Sequence, residues 1–199
     1  RIRIKSIRCD FSGRSYPDGT LRNARAYLIN VNRRCALLED TSTPVEIIND
    51  GKLDETETGA MACPDMLCME IGDIGGKNVR PDGCLYCYPN GIGEETAQTH
   101  FTRLVIEGEI GGTTYYYPIN LNLERNLSCD LDILITRTGT DDPDLSAETG
   151  TLQVFVEPHG VSSENILLQI SLYTIRGFPV KQKFPRPLAA GEKRRKFSK

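Results

Sequence analysis

The feature that most constrains this chain is a two-residue alternation of apolar and polar side chains, repeated along it between clusters of turn residues. Successive side chains of a β-strand point to opposite faces, so such a pattern buries one face and wets the other. The chain opens on it: Ile2 and Ile4 alternate with Arg1, Arg3 and Lys5, and Ile7 continues the apolar series. After the turn at Pro17-Asp18-Gly19, a second strand is expected with Ala24, Ala26, Leu28 and Val31 on one side. Short apolar pieces follow at 35–38 and 45–48, the latter closed by Asn49-Asp50-Gly51. Residues 52–100 are rich in Gly, Pro, Asp and Asn and read as short strands between ordered loops.

The segment from Phe101 to Leu123 reads as a hairpin. Gly111-Gly112 supplies a two-residue turn suited to positive φ, and Tyr115-Tyr116-Tyr117, Ile119, Leu121 and Leu123 return along the partner strand. Alternate tyrosines are expected in the core, with Tyr116 against the outer face. Leu131, Ile133 and Ile135 mark the next strand, Leu152, Val154 and Val156 the one after it, and residues 166–175 (ILLQISLYTI) alternate once more. No segment holds a 3.6-residue period over three turns, so little helix is expected. Strands joined by local turns define an all-β fold, an antiparallel β-sandwich.

The chain has 199 residues, 39% hydrophobic and 26% charged, which is globular composition. No run approaches the ~18 apolar residues of a membrane helix. The N-terminal segment lacks the apolar centre of a signal peptide, and the missing initiator Met favours a mature form or a fragment. The net charge of −3 hides an asymmetry. Residues 176–199 carry nine Lys/Arg against one acid, Glu192, while 15 basic and 26 acidic side chains lie upstream. An acidic body with a basic tail is not the profile of a nucleic-acid-binding domain. Lys193-Arg194-Arg195-Lys196 suits either an anionic partner or a solvated chain end.

Candidate chemistry is sparse. Among seven cysteines, Cys63 and Cys68 followed by Cys84 and Cys87 are spaced in pairs, as four thiolates around a tetrahedral zinc would be. Disulfides, or reduced thiols in loops and short strands, fit the same spacing. The only histidines, His100 and His159, adjoin neither Ser nor Cys, and no nucleophile elbow, zinc-protease helix motif or phosphate loop occurs. No catalytic residue and no cofactor is therefore expected. Asp141, Asp142 and Asp144 offer oxygen ligands for calcium, but without a twelve-residue loop and its distal Glu. The competing reading is a strand terminus, with Pro143 blocking continuation and the acids keeping an edge soluble.

Taken together, TRLVIEGEIGGTTYYYPINL, ERNLSCDLDILITRTGTDDPD and LQVFVEP resemble the Bacteroidales fimbrillins, the shaft, tip and anchor subunits of type V pili. In that family a strand ending in Tyr-Tyr-x-Pro-Ile is followed by an Arg-Asn turn. A strand closing in Ile-Thr-Arg-x-Gly-x-x-x-Pro-Asp comes next, then a final Val-x-Val-x-Pro strand. IKSIRCDFSG, LRNARAYLINVN and the YCYPN at 86–90 fit more loosely, and the likeness covers roughly residues 2–158. The resemblance implies a transthyretin-like β-sandwich that serves as a structural fimbrial subunit or anchor. Family members are exported as lipoproteins, trimmed after a basic residue, and polymerised by inserting a strand of one subunit into a groove of the next.

By the same resemblance the partners are other fimbrial subunits, with host surface proteins or glycans as adhesion targets. A membrane is met only through a lipid anchor outside this chain, at an extracellular fimbrium on the outer-membrane surface. The alternative is a monomeric surface lipoprotein of the same fold that binds glycan or host protein. The expected organisation is a fimbrillin-like domain over residues 1–175, then a basic, proline-containing tail at 176–199 that is disordered or non-native. The chain is short for the two-domain subunits of that family, which suits mainly a C-terminal domain. Residues 166–175 either close this domain or are donated to a neighbour. In donation, Ile166, Leu168, Ile170 and Leu172 would plug the acceptor's pockets.

Overall fold

The computed structural model describes residues 1–16, 19–33, 46–54, 64–90, 92, 95–96, 100–121, 123–145 and 150–159. Nine strands lie among them. They are β1 (Ile2–Cys9), β2 (Leu21–Ile29), β3 (Val31–Asn32), β4 (Ile47–Ile48), β5 (Cys68–Ile74), β6 (Arg103–Ile110), β7 (Thr113–Asn120), β8 (Ser128–Ile135) and β9 (Leu152–His159). A single helical turn, α1 (Pro64–Leu67), leads into β5. The residues 35–38, 166–175 and 176–199 and Cys63 lie outside the described set.

Two sheets carry the architecture, ordered β1-β8-β9 and β5-β2-β6-β7, with β3-β4 as a small third pair. The first two share one apolar cluster. Ile2, Ile4 and Ile7 of β1 and Leu131, Ile133 and Ile135 of β8 meet Leu21, Ala24, Ala26 and Leu28 of β2 and Leu104 and Ile106 of β6. That is an all-β sandwich, and five of the six strand pairs are antiparallel as expected. The exception is β1, which runs parallel to β8 with Ile2 opposite Cys129. Local turn signals say nothing about a partner more than a hundred residues away, so this pairing was not legible in the pattern.

The alternation in β1 contains its own correction. Strict period two from Ile2 and Ile4 would turn position 6 inward, but the register shifts between Ile4 and Ser6. The extra residue at Lys5 is a bulge, and it resets the phase so that Ile7 and Cys9 face the core with Ile2 and Ile4. A similar reset separates Leu28 from Val31, where Asn30 adopts a positive φ of 56°. Asn tolerates that left-handed region better than most residues, and it ends β2 there.

β2 is central to its sheet, and both faces are covered. Ala24, Ala26 and Leu28 look into the sandwich, while Tyr27 and Ile29 join Val105 in a second cluster on the opposite face. The β6–β7 hairpin pairs Ile110 with Thr113, so Gly111 and Gly112 form the two-residue turn, with φ of 60° and 81°. Along β7, Tyr117 is fully buried, Tyr115 packs against the main core, and Tyr116 lies on the second cluster. The tyrosine run is therefore split between two apolar surfaces by the pleat.

Candidate functional site

Among the described residues, the sandwich presents two polar constructions and two strand margins without an outer partner, β9 and β5. The first construction is the outer face of the β1-β8-β9 sheet. Inward alternation of β8 leaves Ser128, Asp130 and Asp132 on the outside, and register places Arg3 and Glu157 on either side of Asp130. Arg3 grips the Asp130 carboxylate with two donors, Nε at 3.0 Å to Oδ1 and Nη2 to Oδ2. Roofed in this way, Asp130 is only 3% exposed on a nominally wet face. The Arg3 hydrogen bond outweighs the cost of burial and holds the Asp130 carboxyl below its ordinary range. Around this pair, Lys5 Nζ reaches Glu157 at 3.1 Å, and Ser6 Oγ donates to Asp132 at 2.6 Å. His159 Nε2 stands 3.4 Å from Asp130 Oδ2 and 4.0 Å from Glu157 Oε2. Glu157 and His159 share this face because they are two residues apart on one strand.

The second construction lies at one end of the sandwich, and it explains the run Thr136–Asp144. Thr140 exchanges two backbone hydrogen bonds of 2.9 Å with Tyr116, capping the free edge of β7. The approach is so close that a Cβ on Gly139 would sit 2.1 Å from the Tyr116 carbonyl oxygen. Asp142 Oδ1 accepts the Asp144 backbone N–H at 2.8 Å, an Asx turn that presents the Asp144 side chain inward. There Asp144 Oδ1 takes hydrogen bonds from Asn30 Nδ2 (2.9 Å) and from Arg103 Nη1. Arg103 also binds Glu95 Oε1 at 2.7 Å and Asn120 Oδ1 at 2.8 Å.

The asparagines complete the framework. Asn30 Oδ1 accepts Gly51 N–H at 2.8 Å, and Asn49 Nδ2 donates to Leu28 C=O at 2.9 Å. Arg103, Asn30 and Asn49 are all buried. With Asp144 committed to Arg103 and Asn30, the acids at 141–144 are a docked turn. They line an open depression of about 460 Å³ together with Asp50, Gly51 and Lys52. The sequence pattern points to Asp144 but not to Arg103. A lone Arg opening an apolar strand was the available signal, since such a group is buried only with partners.

Among the described residues, the remaining candidates lie apart from one another. Cys68 begins β5 opposite Tyr27, whereas Cys84 and Cys87 flank Leu85, which bridges Ile2 of β1. Among the described residues, the three side chains whose metal-ligating atoms come together are Asp130, Glu157 and His159, and no cysteine is among them. Burial pushes the Cys87 thiol up to about 12, as apolar surroundings do to a metal-free thiol, and Cys63, the remaining member of the predicted set of four, lies outside the described residues. His100 lies 3.7 Å from Asp144 and His159 lies against Asp130, so both imidazoles face carboxylates.

Of the two described margins without an outer partner, β9 is the one backed by apolar side chains. Among the described residues, loop segments cover two other margins: Val79 and Leu85 bridge β1, and Thr140 bridges β7. On the outer side of β9 no described residue pairs. Its inward side chains, Leu152, Val154 and Val156, touch the core but stay only partly buried, while their β8 neighbours Leu131, Ile133 and Ile135 are buried. Phe155 projects from the outer face and is 58% exposed. The described margin of the other sheet, β5, instead carries Glu70 and Asp73 and is distorted against β2 at two register shifts, features that discourage further pairing.

The described residues thus form a β-sandwich, and among them the apolar-backed β9 lies at one margin with a partner on one side only. No family model matches it, and no curated protein does. Two solved structures are similar in chain path. One is a fimbrilin from Porphyromonas gingivalis, with 14% identity and a TM-score of 0.47 over 80% of this chain and 57% of that one. The other is a candidate cell adhesion protein from Parabacteroides distasonis, with 10% identity and a TM-score of 0.45 over the same shares. The chain spans little more than half the length of either.

Proposed function

We propose that this protein is a structural subunit or anchor of a bacterial surface fimbria, assembling with other subunits by strand addition at β9 and contributing to adhesion. The observation that carries the reading is the β9 margin: among the described residues its outer backbone edge has no partner, and it lies above half-covered Leu152, Val154 and Val156. An added strand would satisfy the edge N–H and C=O groups and lay alternate apolar side chains over those three. The fimbrillin-like strand signatures at 103–158 point to the same kind of protein.

The segment 166–175 has the composition for such a strand, with Ile166, Leu168, Ile170 and Leu172 as the inward set. Supplied within the chain it closes the domain; supplied to a neighbour it builds a polymer. The test compares the oligomer distribution of the full chain with that of a chain ending at Ser163, with and without a peptide of residues 165–175. Assembly that disappears on truncation and a peptide that binds the shortened chain support the reading. A shortened chain that is equally stable, still polymerises and ignores the peptide refutes strand addition by this segment.

A second reading, a monomeric surface module that binds glycan or host protein, is favoured by one feature. Tyr86 and Tyr88 stand 43% and 50% exposed beside Met66, whose carbonyl accepts the Tyr86 N–H. Aromatic faces held two residues apart on an extended segment suit stacking against a sugar ring. Loss of glycan or cell binding on replacing both tyrosines with Ala, in a chain that stays monomeric, would favour it.

A further inference from the structure

We propose that Asp130, Glu157 and His159 form a binding site for a divalent transition-metal ion of the zinc class on the outer face of the β1-β8-β9 sheet. The inference stands apart from the assembly reading and rests on geometry. The three ligand atoms all lie within 4.8 Å of one another, and the His159 Nε2 to Asp130 Oδ2 separation is 3.4 Å. Ligand bonds of about 2.0–2.1 Å at tetrahedral angles place neighbouring ligand atoms about 3.3 Å apart. The His–Asp spacing already meets that requirement, and Glu157, at 4.0 Å from His159 Nε2 and within 4.8 Å of the Asp130 ligand atom, has to swing inward, which its half-exposed side chain allows.

Placement favours the same conclusion. Asp130 sits on the central strand of the sheet and its carboxylate is nearly inaccessible, so it is a fixed anchor. Glu157 and His159 are about half exposed, free to adjust, and leave the remaining coordination positions to water. One imidazole with two carboxylates is a borderline-hard set, suited to zinc and its neighbours rather than to the all-oxygen sites of calcium or magnesium.

Two cations already hold these carboxylates, and they shape the behaviour of the site. Arg3 grips Asp130 and Lys5 contacts Glu157, each from a side chain about half exposed. Both can swing into solvent when a dication arrives. Metal binding is therefore a competition between the ion and two side-chain cations. Removing Lys5 should tighten it, whereas a plain salt-bridge network would have no metal affinity for Lys5 to oppose.

The experiment is a zinc titration of the full chain by calorimetry, with cobalt as a spectroscopic stand-in. The variants His159→Ala and Lys5→Ala both change exposed side chains. Expected are one ion per chain, affinity at least about tenfold weaker in His159→Ala, and affinity up to about fivefold tighter in Lys5→Ala, the worth of an exposed ion pair. The cobalt spectrum should lack a sulfur-to-cobalt charge-transfer band. An absence of saturable binding, a sulfur band that assigns the ion to the cysteines, or an affinity unchanged in either variant overturns the proposal.

Discussion

Replacing Arg103 with Met tests whether one buried cation holds the end of the sandwich together. Met keeps most of the apolar stem and removes the charge, so the change reads out hydrogen bonds and ion pairs rather than lost volume. The Arg103 side chain is 4% exposed and ties Asp144, Glu95 and Asn120 to the start of β6. Breaking a buried pair by removing one partner costs about 3–5 kcal/mol. Glu95 and Asp144 are 30% and 23% exposed and regain part of their hydration, which places the expected loss near the lower limit, about 3 kcal/mol. With a urea m-value of about 2 kcal/mol/M, the midpoint should fall by about 1.5 M. Asp144→Asn and the double variant complete a cycle whose coupling should exceed about 1 kcal/mol. A midpoint within about 0.5 M of the parent, or additivity within about 0.5 kcal/mol, would refute the clamp.

Other consequences follow from the same geometry. Gly139→Ala forces the 137–144 turn off the β7 edge and should cost about 2 kcal/mol, the worth of its two hydrogen bonds to Tyr116. Amide exchange of Tyr116 should quicken in parallel, and an undisturbed rate would contradict the close approach. Leu131→Ala, at the centre of β8 and fully buried, should lose about 2–5 kcal/mol in urea unfolding; a loss under about 1 kcal/mol would mean that the two sheets do not share this core. Burial raises Cys9 and Cys87 to about 12, above the ordinary thiol value near 8.5. Their contribution is complete below that ordinary value and is lost as pH rises through the interval up to the folded-state value, because only the unfolded thiols ionise there. Stability should decline above about pH 8.5, and Cys9→Ala should flatten that limb; a slope unchanged by the substitution would point to other groups.

Much of the fold was legible because β-structure writes itself locally. The inward sets of β1, β2, β8 and β9, the Gly111-Gly112 turn and the division of the tyrosine run all follow from period two and from which residues accept positive φ. Even the phase errors are local: Ile4 to Ile7 and Leu28 to Val31 step by three, and a bulge at Lys5 and a left-handed Asn30 are what three-residue steps require. The site was less legible. Asp144 looked like a solvated turn acid, and Asp130 like any outward residue of a strand, because neither partner lies nearby in sequence.

What the sequence determined by itself is which side chain of each strand enters the core and where each strand must turn, since both depend on neighbours within a few residues. What the tertiary structure alone decided is which strands lie side by side. Apolar alternation makes every strand a suitable partner for every other, and the choice is made only when whole faces are packed. Pairing β1 parallel to β8 brought Arg3 to Asp130. Pairing β9 on the other side of β8 set His159 and Glu157 beside them and, among the described residues, left Leu152, Val154 and Val156 only partly covered. Docking of the 136–144 turn across the sheet end buried Arg103 with its carboxylates. Those juxtapositions cost chain entropy to form and are repaid only by the assembled core, so no local stretch of sequence carries them.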